Sequence, residues 1–318
     1  MPFATSRTVA LTGAVGHVID VQADVSAGQV ATVLVGRPDA ALSEARDRCR
    51  MAIINSGFEW PSSRRTTILL SPADLPKRGT HYDLAIAVAV LGAVGTVPRE
   101  SLDGVVCIGE LTLAGGLRSV PGVLPMVMAA AQRGYRHVMV PEPQAHEAAM
   151  VPDVEVLGLR SLAQVVAELR DEPVPDAPPV APMASSRLLS WRGAGRMEEV
   201  DLADLTGMEE TRYAVEVAAA GGHHLLLSGP KGSGKTSIAE RMPGLLPDLT
   251  REEALELTAV HSLAGALEPG DGLMTRPPFS APHHDASTSS LIGGGTGTVR
   301  PGEISRAHCG VLLLRSSP

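Results

Sequence analysis

Residues 224–237 read HLLLSGPKGSGKTS, and no other stretch limits the possible folds as strongly. A short apolar run, a glycine-rich turn and a helix start follow one another. Within it, GPKGSGKT fits the phosphate-binding pattern G-x-x-x-x-G-K-[ST]. Gly229, Gly232 and Gly234 let the backbone wrap closely, so that its N–H groups turn inward toward phosphate oxygens. Lys235 reaches the β- and γ-phosphates as a point charge, and the Thr236 hydroxyl ligates Mg2+. The helix expected over 236–242 adds its positive N-terminal end. The candidate nucleotide-binding residues are therefore Gly229, Pro230, Lys231, Gly232, Ser233, Gly234, Lys235, Thr236 and Ser237, with Thr236 the candidate metal ligand. The plainer alternative is a chance glycine-rich turn between a strand and a helix.

A chain of 318 residues suggests two domains that each bury a core. Apolar content of 44% and charge of 19% exclude a disordered chain. Aromatics make up only 3%, so the cores must be aliphatic. A net charge of -8 argues against a generally basic protein that coats nucleic acid, while leaving a local basic groove open. Cys49, Cys107 and Cys309 stand singly, so small buried thiols are favoured over a zinc site or disulfides. No apolar run reaches about 18 residues and no signal core opens the chain. The expectation is a cytoplasmic protein without membrane partners.

Residues 8–12, 16–25 and 30–35 alternate as strands, with Gly13, Gly16 and Gly28 at turns. A helix is predicted over 39–55, with Arg46, Arg48 and Arg50 mostly facing water. A strand at 66–70 and a buried helix at 84–91 follow, then a hairpin of 105–109 with 111–113. A helix at 124–133, strands at 137–140 and 154–157, and a helix over 162–169 complete an α+β domain of residues 1–170. Five prolines in 171–182 mark a semi-extended linker, taken loosely to 197. The second domain, 198–318, has helices over 210–220 and 251–260, the latter with a Thr250/Glu253 capping box. It also has strands at 225–227 and 309–314. His283-His284-Asp285 offers a metal cluster, yet neighbours on one loop seldom converge on an ion without distant ligands; a self-bonded loop is the plainer reading.

Longer motifs extend the reading. The chain is similar to the magnesium-chelatase-like AAA+ ATPases of the ComM and YifB type over nearly all its length. In the first domain the resemblance rests on VGRPDAALSEARDRCRMAIINSGFEWP, SPADLPKRGTHYDLAIAVAVL and IGELTLAGGLRSVPGVLPM. In the second it rests on AAAGGHHLLLSGPKGSGKT, LTREEALELTAVHSLAG and RPPFSAPHHDASTSSLIGGGTGTVRPGEISRAHCGVLLL. It implies a first domain with the ribosomal-protein-S5 domain 2-like fold shared with Lon proteases, then a P-loop NTPase (AAA+) α/β domain. Lon enzymes use a Ser–Lys dyad; here His81 and Pro125 fall near the two positions, so no proteolysis is expected and Lys77, Thr80 and His81 are ordinary turn residues. The resemblance further implies ATP and Mg2+ as cofactors, a homo-hexameric ring and DNA as partner, with branch migration in natural transformation as the role. Arg276, His283, His284 and Arg300 would then lie near the pore or the nucleotide.

In that family the strand GVLFL is followed by Asp-Glu, which orients Mg2+ and polarises the attacking water. Here residues 310–314 are followed by Arg315-Ser316-Ser317-Pro318. The expectation is an ATPase domain interrupted before its catalytic carboxylates, sensors and arginine finger, by a frameshift or truncated gene or, more plainly, a sequence error. The chain is then expected to bind ATP without useful turnover, to leave the strand at 225–227 without neighbours, and to have a marginally stable second domain. A non-catalytic protein- or DNA-binding module is the alternative from another class. A magnesium chelatase subunit ranks below both.

Overall fold

The structure, a computed structural model, describes residues 3–183, 201–268, 270–294 and 300–315. They divide into two units: 3–183 with 262–268 and 270–272, and 201–261 with 273–294 and 300–315.

The first unit begins with a hairpin. Strand β1 (Phe3–Thr12) pairs antiparallel with β2 (Val15–Ser26) in a register that sets Thr12 opposite Val15. Two residues therefore close the loop, and Gly13 takes the φ of 63° that such a turn needs. Strand β3 (Ala31–Val35) runs parallel to β4 (Arg65–Ser71), giving the order β1-β2-β4-β3. Period-two alternation buries Ile19, Val21, Ala23 and Val25 on one face of β2.

The single helix predicted over 39–55 is instead α1 (Ala40–Ser43) and α2 (Ala45–Asn55). Asp39 caps the first turn by accepting from the Leu42 N–H, and the chain restarts at Glu44. Helix α3 (Asp83–Val94) is buried from Asp83 through Ala93, and Gly95 ends it in the left-handed conformation. Such a helix shows no amphipathic stripe because it has no wet face.

Strands β5 (Val105–Cys107) and β6 (Glu110–Leu111) do not form the predicted hairpin. Strand β6 pairs with β7 (Leu117–Arg118), whereas β5 joins a parallel sheet. Ile108 and Gly109 carry the chain between the two sheets, donating to the carbonyls of Met139 and His81. Helix α4 (Val123–Gln132), β8 (His137–Pro141), α5 (Ala145–Ala148), β9 (Glu155–Leu159) and α6 (Leu162–Leu169) complete the unit, with sheet order β5-β8-β9. Residues 172–183 carry no helix or strand; the rest of the predicted linker and the expected domain start at Glu198 lie outside the described residues.

Helix α4 approaches β2 where residue 16 lacks a side chain. A Cβ on Gly16 would stand 2.4 Å from Ala129 Cβ and 3.3 Å from the Pro125 carbonyl oxygen. Gly16→Ala is therefore expected to cost about 1–3 kcal/mol through overpacking. Urea unfolding checks this, and an unchanged midpoint would mean that α4 does not pack this closely.

The second unit contains α7 (Glu209–Gly221), α8 (Lys235–Ala239) and α9 (Arg251–Leu263). Strand β10 (Phe279–Ser280), α10 (Thr288–Ile292), β11 (Gly293–Gly294), β12 (Arg300–Pro301), α11 (Glu303–Arg306) and β13 (Val311–Leu312) follow. Strand β10 runs parallel to β13, and β11 pairs antiparallel with β12. The Thr250/Glu253 capping box forms at the start of α9. A small core joins Leu202, Val215 and Ile238, with Leu205, Met208, Leu227, Met242 and Leu245 against it.

Residues 225–227 form no strand: among the described residues they pair with no neighbour. Leu227 packs on the small core, whereas Leu226 is 94% exposed. The helix after the loop stops at Ala239 rather than running to 242. Pro243, without an N–H, sits in a 3-10 turn over Met242–Leu245. The strand predicted over 309–314 contracts to β13; on its N-terminal side Cys309, with φ 57°, is outside extended geometry.

Candidate phosphate-binding loop

Gly229, Gly232 and Gly234 have φ of 155°, 83° and 82°, in the region that disfavours a Cβ. Gly232 also faces open space, and a Cβ on Gly234 would meet Met208 Sδ at 3.2 Å. This conformation turns the chain into α8, with Gly234 as N-cap. Among the described residues, the N–H groups of Gly232, Gly234, Lys235 and Thr236 make no backbone hydrogen bond. Such donors at a helix start are what an anion requires. Ile238 anchors the first turn of α8 in the small core.

The loop curls around its lysine. Lys235 Nζ donates to the carbonyl oxygens of Gly229 and Pro230, both at 2.7 Å, and to Ser233 Oγ at 3.3 Å. The structure thus brings together Gly229, Pro230, Ser233 and Lys235. Lys231 is exposed at the tip, Thr236 is half-buried, and the Ser237 carbonyl accepts from Arg241 at 2.9 Å. Free donors, a cation at the mouth and a half-buried hydroxyl at Thr236 fit a triphosphate with its Mg2+.

The other predicted residues have contacts or positions of their own. Arg276 pairs with Asp248 at 3.5 Å, and Arg300 is an exposed residue of β12. His283 and His284 both face Asp285.

Lys77, Thr80 and His81 are not ordinary turn residues. Lys77 is fully buried with its ammonium on the Pro72 carbonyl, and burial lowers its pKa. His81 Nε2 donates to the Val9 carbonyl at 2.9 Å, and burial pushes that ring down to about 4. Thr80 donates to the Glu110 carboxylate. These contacts tie the 77–81 segment to β1 and β6. Pro125 is buried in α4.

A cluster absent from the sequence reading lies beside them. Asp83, fully buried, takes two hydrogen bonds from Arg48 at 2.8 and 3.0 Å and one from the Leu111 N–H at 3.3 Å. Arg48 therefore does not face water as expected. A lone carboxylate opening the otherwise apolar helix α3 was the available signal. Burial raises the pKa of all three cysteines, that of Cys107 to about 12, although Cys309 is only half-buried.

Fold and site together define a two-unit α/β protein that carries a phosphate-loop turn on its second unit. The family model described as magnesium chelatase, subunit ChlI, matches residues 201–318, and that for subunit ChlI of Mg-chelatase matches 21–144. All of the chain is 40% identical to YifB of Escherichia coli and 37% identical to competence protein ComM of Haemophilus influenzae, over 60% and 61% of those proteins. A stretch of 165 residues, 49% of this chain, is 27% identical to 20% of a Lon protease from Rhizobium meliloti. The chain belongs to the magnesium-chelatase-like family, in the type that YifB and ComM represent. It spans about 60% of the length of these two curated relatives.

Proposed function

We propose that this chain binds ATP and Mg2+ through residues 229–237 and is part of an AAA+ motor that acts on DNA, with branch migration in competence-linked recombination as its role. The observation that carries the nucleotide reading is the loop itself, with three glycines at positive φ, free amides at the start of α8 and Lys235 at its mouth. Thr236 would hold Mg2+, which screens the charge of the β- and γ-phosphates. Similarity to a relative named for competence supports the DNA role. On this reading residues 1–170 are a non-proteolytic Lon-like domain, 171–197 a linker and 198–318 the nucleotide-binding domain of a homo-hexameric, cytoplasmic protein. Among the described residues, no helix is long and apolar enough to cross a membrane.

Hydrolysis is a separate matter. Arg315 and Ser316 follow Leu314 where the resemblance implies two carboxylates. The 318-residue polypeptide is expected to hold ATP with turnover at background, since loss of a general base alone costs about 10²–10⁴ in rate. A coupled phosphate-release assay tests this, and turnover that disappears in Lys235→Ala would overturn it. Binding of branched DNA that responds to ATP supports the motor. DNA or protein binding that ignores both ATP and Lys235→Ala supports the runner-up, a non-catalytic module. Magnesium insertion into a tetrapyrrole, the third reading, rests on the family's name alone.

A further inference from the structure

We propose that His283, His284 and Asp285 form a surface site for a late first-row divalent cation such as Zn2+ or Ni2+, separate from the phosphate loop. Among the described residues they are the one group of three or more potential ligands whose donor atoms all lie within 4.8 Å of one another. Asp285 Oδ2 is 3.3 Å from His284 Nε2 and 3.6 Å from His283 Nδ1. A tetrahedral ion with bonds of about 2.0–2.2 Å separates its ligands by about 3.3–3.6 Å, so both spacings already match.

The tautomer fits as well. The Asp285 N–H points to His283 Nδ1 at 3.4 Å, which makes Nδ1 the lone-pair nitrogen of that ring. That contact is long and yields readily to a metal. The two rings lie against each other, tilted by 38°, with centroids 4.1 Å apart. The turn is closed by the Ala286 N–H on the His283 carbonyl at 2.9 Å, and Ser287 then caps α10. Three neighbouring ligands thus converge because a capped turn holds them.

Two imidazoles with one carboxylate select zinc, nickel, copper or cobalt over Mg2+, which prefers all-oxygen sites and keeps its waters. All three residues are exposed, so at least one coordination position stays with water and binding is weaker than at a closed structural site.

The test titrates Zn2+ into the 318-residue protein by calorimetry, and Co2+ by visible absorption, each with excess Mg2+. Because other histidines can bind metal, His283→Ala/His284→Ala is run alongside, with circular dichroism confirming its fold. The wild type should show one more equivalent than the double variant, with a tetrahedral Co2+ band. Asp285→Asn should weaken that equivalent about tenfold. Identical titrations for wild type and double variant, displacement by Mg2+, or no saturable binding below about 1 mM would overturn the site.

Discussion

Lys235→Ala is expected to weaken ATP binding to this chain by about a hundredfold. In the structure the Lys235 ammonium already makes three hydrogen bonds to the loop, and on the proposed reading phosphate oxygens replace the carbonyls of Gly229 and Pro230. A hydrogen bond to a charged group is worth about 1.5–3 kcal/mol, and about 2.8 kcal/mol is a hundredfold in affinity. Fluorescence anisotropy of a labelled ATP analogue measures the change. Lys235→Arg should recover little, because a planar fork cannot occupy a seat shaped for a point charge. The same substitutions release the loop's internal tether, so amide exchange over 229–234 should rise without nucleotide. Affinity within about threefold of wild type would remove Lys235 from the site.

The largest expected stability effect lies in the other unit. Asp83→Ala should cost about 3–5 kcal/mol, because it leaves the Arg48 guanidinium without its buried partner. Replacing both, as Arg48→Met with Asp83→Leu, should recover most of that loss, since a paired apolar substitution removes the charge as well as its partner. Denaturant unfolding of the three variants measures this, and additive losses would sink the idea of a coupled pair.

The pH dependence follows from the same carboxyl. Burial pushes the Asp83 pKa up to about 6, with the Arg48 contact opposing. The unfolded value is about 3.9, so the contribution to stability is fully present below about pH 4 and is lost as pH rises through about 6. The stability gap between wild type and Asp83→Asn should therefore narrow from pH 4 to pH 7. A gap that widens would show that Arg48, rather than burial, sets the pKa.

Local patterns were legible before any fold was known. GPKGSGKT announced the loop because its glycines answer a backbone requirement within eight consecutive residues. Helix α6 matched its predicted bounds, because Ser161 caps it locally, whereas α3 began one residue before the predicted 84–91 and ran three residues past it to the left-handed Gly95. The capping box of Thr250 and Glu253 likewise needed only residues three apart. The segment 105–113 failed as a hairpin for the opposite reason. Its alternation states that it is extended but not which strand it joins, and β8, some 30 residues later, decided that.

The sequence by itself thus determined the glycine-rich turn before α8, most helices and strands, and the family. Only the tertiary structure decided what the charged groups do. Arg48 reads as a solvated helix residue until α3 brings Asp83 against it. Lys77 and His81 read as turn residues until the 72–82 loop and β1 enclose them. The physical reason is common to all of these. Backbone conformation is governed by neighbours along the chain, whereas desolvation and charge pairing depend on groups brought together from distant positions, and no local pattern encodes which those will be.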